Sequence, residues 1–171
     1  VEETEPVITD DALASIDGVL ASYHTQYTPG NRGHNITLAA GKLNGTLVKP
    51  NDIFSFNDTV GLRTAAAGYK VAGVILDGQL ADGIGGGVCQ VSSTLYNAIL
   101  LAGLTPTART SHALPSAYCP PGLDATVADG QIDLQFRNQL AHSVYLLTNA
   151  DRHTLTVLAL IHLRRCRPTY A

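Results

Sequence analysis

Long apolar runs and clusters of one charge are scarce in this sequence of 171 residues. No apolar run approaches the roughly 20 residues that a helix needs to cross a bilayer. Charged residues make up 15% of the chain and hydrophobic residues 45%, a balance typical of a globular domain rather than a disordered one. The formal net charge is −3, and only Arg164, Arg165 and Arg167 form a basic cluster. We therefore expect no nucleic acid among the partners.

Methionine is absent, and the chain opens at Val1 with an acidic stretch that ends at Pro6. We expect it to be a piece of a longer protein, so the lack of a signal peptide carries no information about location. The length suits one domain with a substantial core. Residues 1–7 are predicted to be a linker and residues 8–171 a single domain, whose oligomeric state the sequence leaves open.

Cysteine occurs only three times, as Cys89, Cys119 and Cys166. An odd number leaves at least one without an intramolecular partner. In an oxidising compartment Cys119 and Cys166 are the possible pair, and in a reducing one all three are thiols; the sequence leaves both open. Neither C-x-x-C nor H-x-x-x-H occurs, which disfavours a metal site built from Cys89, His112 and Cys119.

Apolar spacing and breaker residues predict helices early in the chain and strands late. Helices are expected over residues 10–23, capped by Asp10 and Asp11, over 32–44 and over 88–102. Strands are expected over residues 54–56, 69–76, 79–81, 107–111, 131–137, 143–148 and 154–162, with a hairpin turn at Asp77-Gly78. This order indicates an α+β domain with a mostly antiparallel sheet.

The most informative stretch is Gly85-Gly86-Gly87-Val88-Cys89-Gln90, which enters the helix over 88–102. Glycine permits tight turns and a close approach of a substrate. A thiol in the first helical turn faces the positive end of the helix dipole and unpaired N–H groups, and both favour the nucleophilic thiolate. Cys89 is therefore a candidate nucleophile, although a lone cysteine is more often a small buried apolar residue.

A cysteine nucleophile needs a base and a group that orients the base. His112 follows the first strand after the cysteine helix, and Asp124 comes after a Pro-Pro-Gly turn. We predict that Cys89 attacks, His112 carries the proton and Asp124 fixes the imidazole ring. The backbone N–H of Cys89, with that of Gln90, Gly86 or Gly87, is expected to hold the oxyanion.

Simpler interpretations of the same residues remain open. His112 also fits a polar residue at a strand end, and Asp124 also fits an ordinary turn residue. Arg63 and Arg109 are candidates for binding a substrate carboxylate through the guanidinium fork, but both also fit ordinary surface charges.

Two phosphate-binding motifs are disfavoured at the glycine loop. The segment Gly83-Ile84-Gly85-Gly86-Gly87 lacks the G-x-G-x-x-G spacing of a dinucleotide-binding turn, and no Lys-Ser or Lys-Thr follows the glycines as in a P-loop. No cofactor is expected.

Several stretches between His34 and Thr148, about two thirds of the chain, resemble the VanW domain family. The longest is GGGVCQVSSTLYNA, which starts at Gly85. The shorter ones are Asn35-Ile36, Leu43-Asn44-Gly45, Phe54-Ser55-Phe56-Asn57, Gly68-Tyr69, Arg109 with His112, Gly122-Leu123-Asp124-Ala125-Thr126 and Arg137-Asn138. The order of Cys89, Arg109, His112 and Asp124 is also similar, more loosely, to a transglutaminase- or papain-like core.

The resemblance implies a function in the bacterial cell wall. The family takes its name from a gene cluster for glycopeptide resistance, and its members are typically anchored at the membrane or exported across it. Some act as L,D-transpeptidases that form 3→3 peptidoglycan cross-links through a cysteine thioester. The resemblance therefore implies Cys89 as nucleophile, stem peptides as substrates, an extracytoplasmic location and a larger, membrane-anchored parent protein. A cysteine peptidase of wall peptides and a non-catalytic wall-binding module are the alternatives.

Overall fold

A computed structural model describes residues 18–76, 79–151 and 153–161 of the chain. The elements in order are β1 (Gly18–Gln26), α1 (Asn31–Leu43), β2 (Thr46–Val48), β3 (Ile53–Ser55), α2 (Phe56–Val60), β4 (Val71–Leu76), β5 (Gln79–Ile84), α3 (Val88–Leu101), β6 (Thr105–Ala108), β7 (Gln135–Arg137), β8 (Val144–Asp151) and β9 (Thr154–Ile161).

The largest sheet is antiparallel and has the strand order β1-β9-β8-β2. Alternate residues of β9 are buried, as the period of two in a strand requires when one face is covered. The helices α1 and α3 supply that cover by packing against the sheet and against each other. They do so through apolar stripes at helical spacing, namely Ile36, Ala39, Ala40 and Leu43 on α1 and Val91, Leu95, Ala98 and Ile99 on α3.

Two smaller sheets complete the described fold. Strands β3, β7 and β6 form one of them, in the order β3-β7-β6. Strands β4 and β5 form an antiparallel hairpin whose register runs from Val71 opposite Ile84 to Leu76 opposite Gln79. The α+β class and the mostly antiparallel pairing predicted from the sequence are therefore confirmed.

The helix predicted over residues 10–23 is wrong from residue 18 onward, and its first part lies outside the described residues. Gly18–Gln26 is a strand that pairs along β9. The apolar spacing of Leu20 and Tyr23 fits a helix by coincidence, because the backbone groups of this segment are satisfied by the sheet. Its burial follows the strand period only in part, since a bulge shifts the register between Val19 and Ala21.

The strand predicted over 54–56 ends one residue earlier than expected. Ser55 caps the short helix α2, and its hydroxyl accepts the N–H of Asp58 at 3.1 Å. Serine before a helical turn is a common cap because it satisfies an unpaired N–H. Phe56 therefore begins α2 and points into the core with 0% of its surface exposed.

None of the helices in the described part of the chain combines the length and the apolar character needed to span a membrane.

Candidate active site

The three glycines before α3 form a buried loop against strand β4. Gly85 and Gly87 have φ angles of 85° and 108°, in the left-handed region that other residues rarely adopt. A Cβ on Gly86 would lie 2.6 Å from the carbonyl oxygen of Gly73. Backbone conformation and close packing thus require glycine here, whereas the predicted approach of a substrate to Gly86 and Gly87 stays a prediction.

Asn35 on α1 holds the glycine loop in place. Its side chain is fully buried, and Nδ2 donates to the carbonyl oxygens of Lys70 and Gly86, both at 2.9 Å. Its Oδ1 accepts the Lys70 N–H at 2.8 Å. Because one amide binds both the loop and the start of β4, Asn35 fixes the direction in which the chain enters α3.

Cys89 is the second residue of α3, and its side chain is half-buried. Its Sγ donates to the carbonyl oxygen of Val127 at 3.5 Å. The Gln90 N–H donates to the carbonyl oxygen of Gly87 at 3.0 Å, so this predicted oxyanion donor is already occupied. The N–H groups of Cys89, Gly86 and Gly87 have no backbone acceptor within the described residues.

His112 and Asp124 lie against each other as the sequence predicts. The His112 Nδ1 is 2.6 Å from Asp124 Oδ2, and the His112 backbone N–H donates to the same oxygen, also at 2.6 Å. The two side chains are 6% and 8% exposed. An ionised carboxylate only accepts hydrogen bonds, so Nδ1 carries a proton and Nε2 is the nitrogen left for a reacting group.

The electrostatics of His112 link it to both neighbours. A hydrogen bond with the Cys89 side chain is the main cause that raises the pKa of His112; burial lowers this pKa, and the hydrogen bond with Asp124 raises it again. Burial raises the pKa of Asp124, but hydrogen bonds from the His112 backbone and ring prevail and leave the pKa lowered. Thiol, imidazole and carboxylate therefore form one row, in which the imidazole can exchange a proton with the thiol while Asp124 holds the other ring nitrogen.

Arg109 supports the carboxylate of this row. Its Nη2 lies 3.0 Å from Asp124 Oδ1, and its Nε donates to the Asp124 carbonyl oxygen at 2.7 Å. The same Nη2 donates to the Gly122 carbonyl oxygen at 3.0 Å, and the guanidinium lies 5.2 Å from the centre of the Tyr96 ring. Arg109 thus fixes the turn that carries Asp124, and its predicted contact with a substrate stays a prediction.

The buried polar face of α3 anchors the segment that carries Asp124. Ser92 Oγ donates to the Ala125 carbonyl oxygen at 2.7 Å, and Ser93 Oγ accepts the Ala125 N–H at 2.9 Å. Asn97 Nδ2 donates to the Leu123 carbonyl oxygen at 2.6 Å. These contacts join the segment of Asp124 to α3, the helix that carries Cys89. The three anchoring side chains were not among the site residues predicted from the sequence.

Arg63 is buried and engaged within the chain. Its Nε lies 2.6 Å from Asp129 Oδ1, its Nη1 donates to Asn57 Oδ1 at 2.7 Å, and its side chain is 7% exposed. A Cβ on Gly85 would lie 3.1 Å from the Arg63 Cβ, so this arginine packs on the glycine loop. These contacts stabilise the loop, and the substrate contact predicted for Arg63 stays a prediction.

The side chain of Gln90 is a buried connector, with 1% of its surface exposed. Its Nε2 donates to Thr25 Oγ1 at 3.0 Å and to the Gln26 carbonyl oxygen at 2.7 Å, while its Oε1 accepts from Arg32 Nη2 at 3.2 Å. Gln90 therefore ties the start of α3 to β1 and holds the Arg32 guanidinium beside the glycine loop.

Tyr118 lies next to this row and was not predicted from the sequence. Its ring is edge-on to His112 with ring centres 6.4 Å apart, and the Arg32 guanidinium carbon lies 5.8 Å from the Tyr118 ring centre. Burial is the main cause that raises the pKa of Tyr118, and a hydrogen bond with Ser93 opposes the rise. Tyr118 remains the neutral phenol around pH 7, as a polar wall of the site.

Of the other two cysteines, the structure describes Cys119, which does not join the row. Cys119 is buried, and its Sγ lies 3.2 Å from Ser116 Oγ. Cys166, the possible partner of Cys119, lies outside the described residues. Across the described ranges, no three His, Cys, Asp or Glu side chains gather in a group that could hold a metal ion.

Comparison with known proteins gives a family match and two relatives. The model of the VanW like protein family matches residues 31–160. A Bacillus subtilis protein, uncharacterized protein YoaR, is 47% identical over 151 residues, which cover 86% of this chain and 49% of the relative. The vancomycin B-type resistance protein VanW of Enterococcus faecalis is 37% identical over 113 residues, which cover 63% of this chain and 41% of that protein. No solved structure gives a significant match.

The family model covers most of the described fold, from the start of α1 through nearly all of β9, and so includes Cys89, His112 and Asp124. The chain spans less than half of the length of either relative. On the extent of this match, the chain belongs to the family of VanW like proteins.

Proposed function

We propose that this domain is a cysteine acyltransferase that forms 3→3 peptidoglycan cross-links, an L,D-transpeptidase. The observation that carries the proposal is the hydrogen-bonded pair of the His112 imidazole and the Asp124 carboxylate, with the Cys89 thiol near enough to raise the pKa of His112. A thiol joined to a base, which is joined to an orienting carboxylate, is the arrangement used for covalent acyl transfer. A nucleophile in the first turn of a helix, with its base on a following segment, also supports the comparison with a transglutaminase- or papain-like core.

In the first half-reaction the Cys89 thiolate attacks the carbonyl carbon of the diaminopimelate residue in a donor tetrapeptide. The C–S bond forms, and the negative charge on the oxygen is held by N–H groups at the start of α3, among which that of Cys89 has no backbone acceptor in the described residues. The C–N bond then breaks, and the terminal D-Ala amine leaves with the proton of the His112 imidazolium.

In the second half-reaction a side-chain amine of another stem peptide attacks the thioester. Its proton passes to His112 Nε2, the C–S bond breaks, and the thiolate of Cys89 is restored. Asp124 keeps the proton of the ring on Nδ1 through both halves, so that Nε2 always faces the reacting atoms. If water replaced the amine, the same residues would hydrolyse the thioester and the protein would be a peptidase.

We further propose that the domain works on the outer side of the cytoplasmic membrane, as part of a longer, membrane-anchored protein. Both relatives are longer than this chain, and one of them carries a printed name that refers to vancomycin resistance. Peptidoglycan lies outside the membrane, so its stem peptides are reached from that side.

The test is product analysis with a defined donor. The purified protein is incubated with a disaccharide tetrapeptide, and intact-protein and product masses are recorded. We expect a thioester on Cys89 and a cross-linked dimer, and neither with Cys89→Ser; Cys119→Ser serves as the matched control and should retain both. A shortened monomer without dimer would indicate a peptidase. Dimer from the Cys89→Ser protein would refute the mechanism, and no change in donor or protein would favour a non-catalytic wall-binding module.

A further inference from the structure

We propose that Arg32 binds the C-terminal carboxylate of the donor peptide, so that the domain acts on a peptide that ends one residue beyond the cleaved bond. The inference rests on the proposed function, because it assumes acyl transfer to Cys89. It assigns a substrate contact to an arginine that sequence reasoning did not select and makes Arg32 a determinant of specificity.

The three arginines near the start of α3 differ in their partners. Arg63 is paired with Asp129 and Arg109 with Asp124, at 2.6 Å and 3.0 Å. Arg32 has no carboxylate partner within 4.0 Å among the residues that the structure describes, and its hydrogen bond there is to the neutral Gln90. Arg32 is thus the guanidinium of the three whose charge is not already balanced by a carboxylate.

The position of Arg32 places this charge beside the glycine loop and the first turn of α3. A Cβ on Gly87 would lie 3.0 Å from the Arg32 Cγ, so the side chain runs along the last glycine before α3. The guanidinium is held by Gln90, which directly follows Cys89, and by Tyr118, whose ring edge faces His112. Arg32 therefore approaches the row of reacting groups from the side of the glycine loop.

The guanidinium of Arg32 is also preorganised for binding a ligand. Its Nη2 donates to a glutamine side chain that is itself bound to β1, and its central carbon lies 5.8 Å from the centre of the Tyr118 ring, so part of its side-chain freedom is lost before a ligand binds. Arg32 is half-buried, whereas the Arg63 side chain is only 7% exposed and out of reach. A partly desolvated guanidinium with unused N–H groups is well suited to a carboxylate.

The geometry of a peptide indicates that the carboxylate bound by Arg32 is the C-terminal carboxylate of the donor. In a donor that ends one residue after the cleaved bond, standard bond lengths put the terminal carboxylate carbon within about 4 Å of the attacked carbonyl carbon. A cation beside the thiol can reach that group. A chain that continued past this point would place a neutral amide against Arg32, which a guanidinium binds less strongly.

The experiment compares two donors that differ only at the end of the chain: the disaccharide tetrapeptide with a free C-terminal carboxylate, and the same molecule as its C-terminal carboxamide. Acylation rates, as kcat/KM for release of the terminal residue, are measured for the wild-type protein, Arg32→Gln and Arg32→Lys. Arg137→Gln removes the same charge from an exposed position on β7 and is the matched control. Thermal unfolding of each variant reports whether it is folded.

We expect the wild-type protein and Arg137→Gln to prefer the acid over the amide by about 10- to 100-fold, the range of a charge-assisted hydrogen bond. Arg32→Gln should lose that preference, because its reaction with the acid slows more than its reaction with the amide and the ratio of the two rates falls toward one. Arg32→Lys, which keeps the charge without the planar fork, should retain part of the preference.

Two outcomes overturn the inference alone: equal rates on both donors in the wild-type protein, or an undiminished preference for the acid in Arg32→Gln. Acylation of neither donor by the folded wild-type protein overturns the proposed function and this inference with it. If Arg32→Gln does not fold, Arg32→Lys provides the test. A preference of Arg32→Lys for the acid equal to that of the wild-type protein would show that the planar guanidinium of Arg32 does not bind the carboxylate, and would overturn the inference.

Discussion

At the scale of single residues, the site is determined by hydrogen bonds that join a few ionisable groups. Asp124 accepts from the backbone and ring of His112 and from Arg109, so its charge is shared among three donors. Such charge-assisted bonds are strong when the groups are partly buried, and removal of one partner leaves the others unsatisfied. The same bonds make the free energy of unfolding depend on pH.

The pKa shifts of His112 and Asp124 predict a window of greatest stability. The pKa of His112 is raised above 6.5, so its contribution is full below pH 6.5 and is lost as pH rises through the raised value. The pKa of Asp124 is lowered below 3.8, so its contribution is full above pH 3.8 and is lost as pH falls through the lowered value. Both contributions are complete between pH 3.8 and 6.5.

Urea denaturation of the wild-type protein and His112→Gln at several pH values measures this effect. The variant should lose about 1 to 3 kcal/mol at pH 5.5, the range for a charged hydrogen bond, and progressively less as the pH rises above 6.5 through the raised pKa of His112. His153→Gln, which changes an exposed histidine, is the control and should alter the stability little at any pH. A His112→Gln loss that is independent of pH would contradict the assignment.

At the scale of elements, the connection from the β4–β5 hairpin into α3 is the most constrained part of the fold. It needs left-handed backbone at Gly85 and Gly87 and an absent side chain at Gly86, and Asn35 ties it to α1. This arrangement explains why three glycines in succession precede the candidate nucleophile. Any displacement of the loop would move the first turn of α3 and with it the thiol.

Replacement of Gly86 by Ala tests this constraint. Its new methyl group would meet the backbone of Ala72 and Gly73 at 2.6 to 2.7 Å, so we expect a loss of about 1 to 3 kcal/mol from overpacking, together with a loss of thioester formation. Gly41→Ala on α1 is the matched control, because nothing lies within 4 Å of its added Cβ. It should stabilise by about 0.5 to 1 kcal/mol, as alanine favours a helix over glycine. Equal effects of the two changes in chemical denaturation would show that the loop is not tightly packed.

At the scale of the whole molecule, burial and strand pairing are distributed unevenly. Strand β9 is bound on both sides, by β1 and β8, and its inward side chains are fully or nearly fully buried. The β4–β5 hairpin has two strands, and the side chains of Val71 and Ile84 at its base are 52% and 45% exposed. The hairpin nevertheless packs against the glycine loop, so the candidate site lies where the buried core meets a more exposed, two-stranded element.

Hydrogen exchange followed by mass spectrometry measures this difference. We expect amides of β8 and β9 to exchange most slowly, near the rate set by global unfolding, because their bonds break only when the four-stranded sheet opens. Amides of β4 and β5 should exchange faster through local opening, since a two-stranded hairpin has little burial of its own. Protection of the hairpin equal to that of β9 would mean that the loop and the sheet unfold as one unit.

Local order along the chain was predictable, and long-range pairing was not. The helices α1 and α3 and the hairpin strands followed from spacing and breakers within short stretches. The contact between His112 and Asp124 followed from the chemistry that a cysteine nucleophile needs, and the catalytic roles of Cys89, His112 and Asp124 stay predictions. The error at β1 arose because its partner, β9, lies more than 100 residues away. A strand in that position is stabilised by a neighbour that no local pattern reveals.

The sequence by itself determined the α+β class, the glycine loop that leads into a helix, and the family, because these depend on residue types at fixed spacing. Only the tertiary structure decided which charges are already paired. It showed Arg63 and Arg109 engaged with carboxylates of this chain, Arg32 bound to Gln90, and the Tyr118 ring against His112. Spacing cannot decide such contacts, since Arg63 with Asp129 and Arg32 with Gln90 join segments 66 and 58 residues apart that meet only when the core packs.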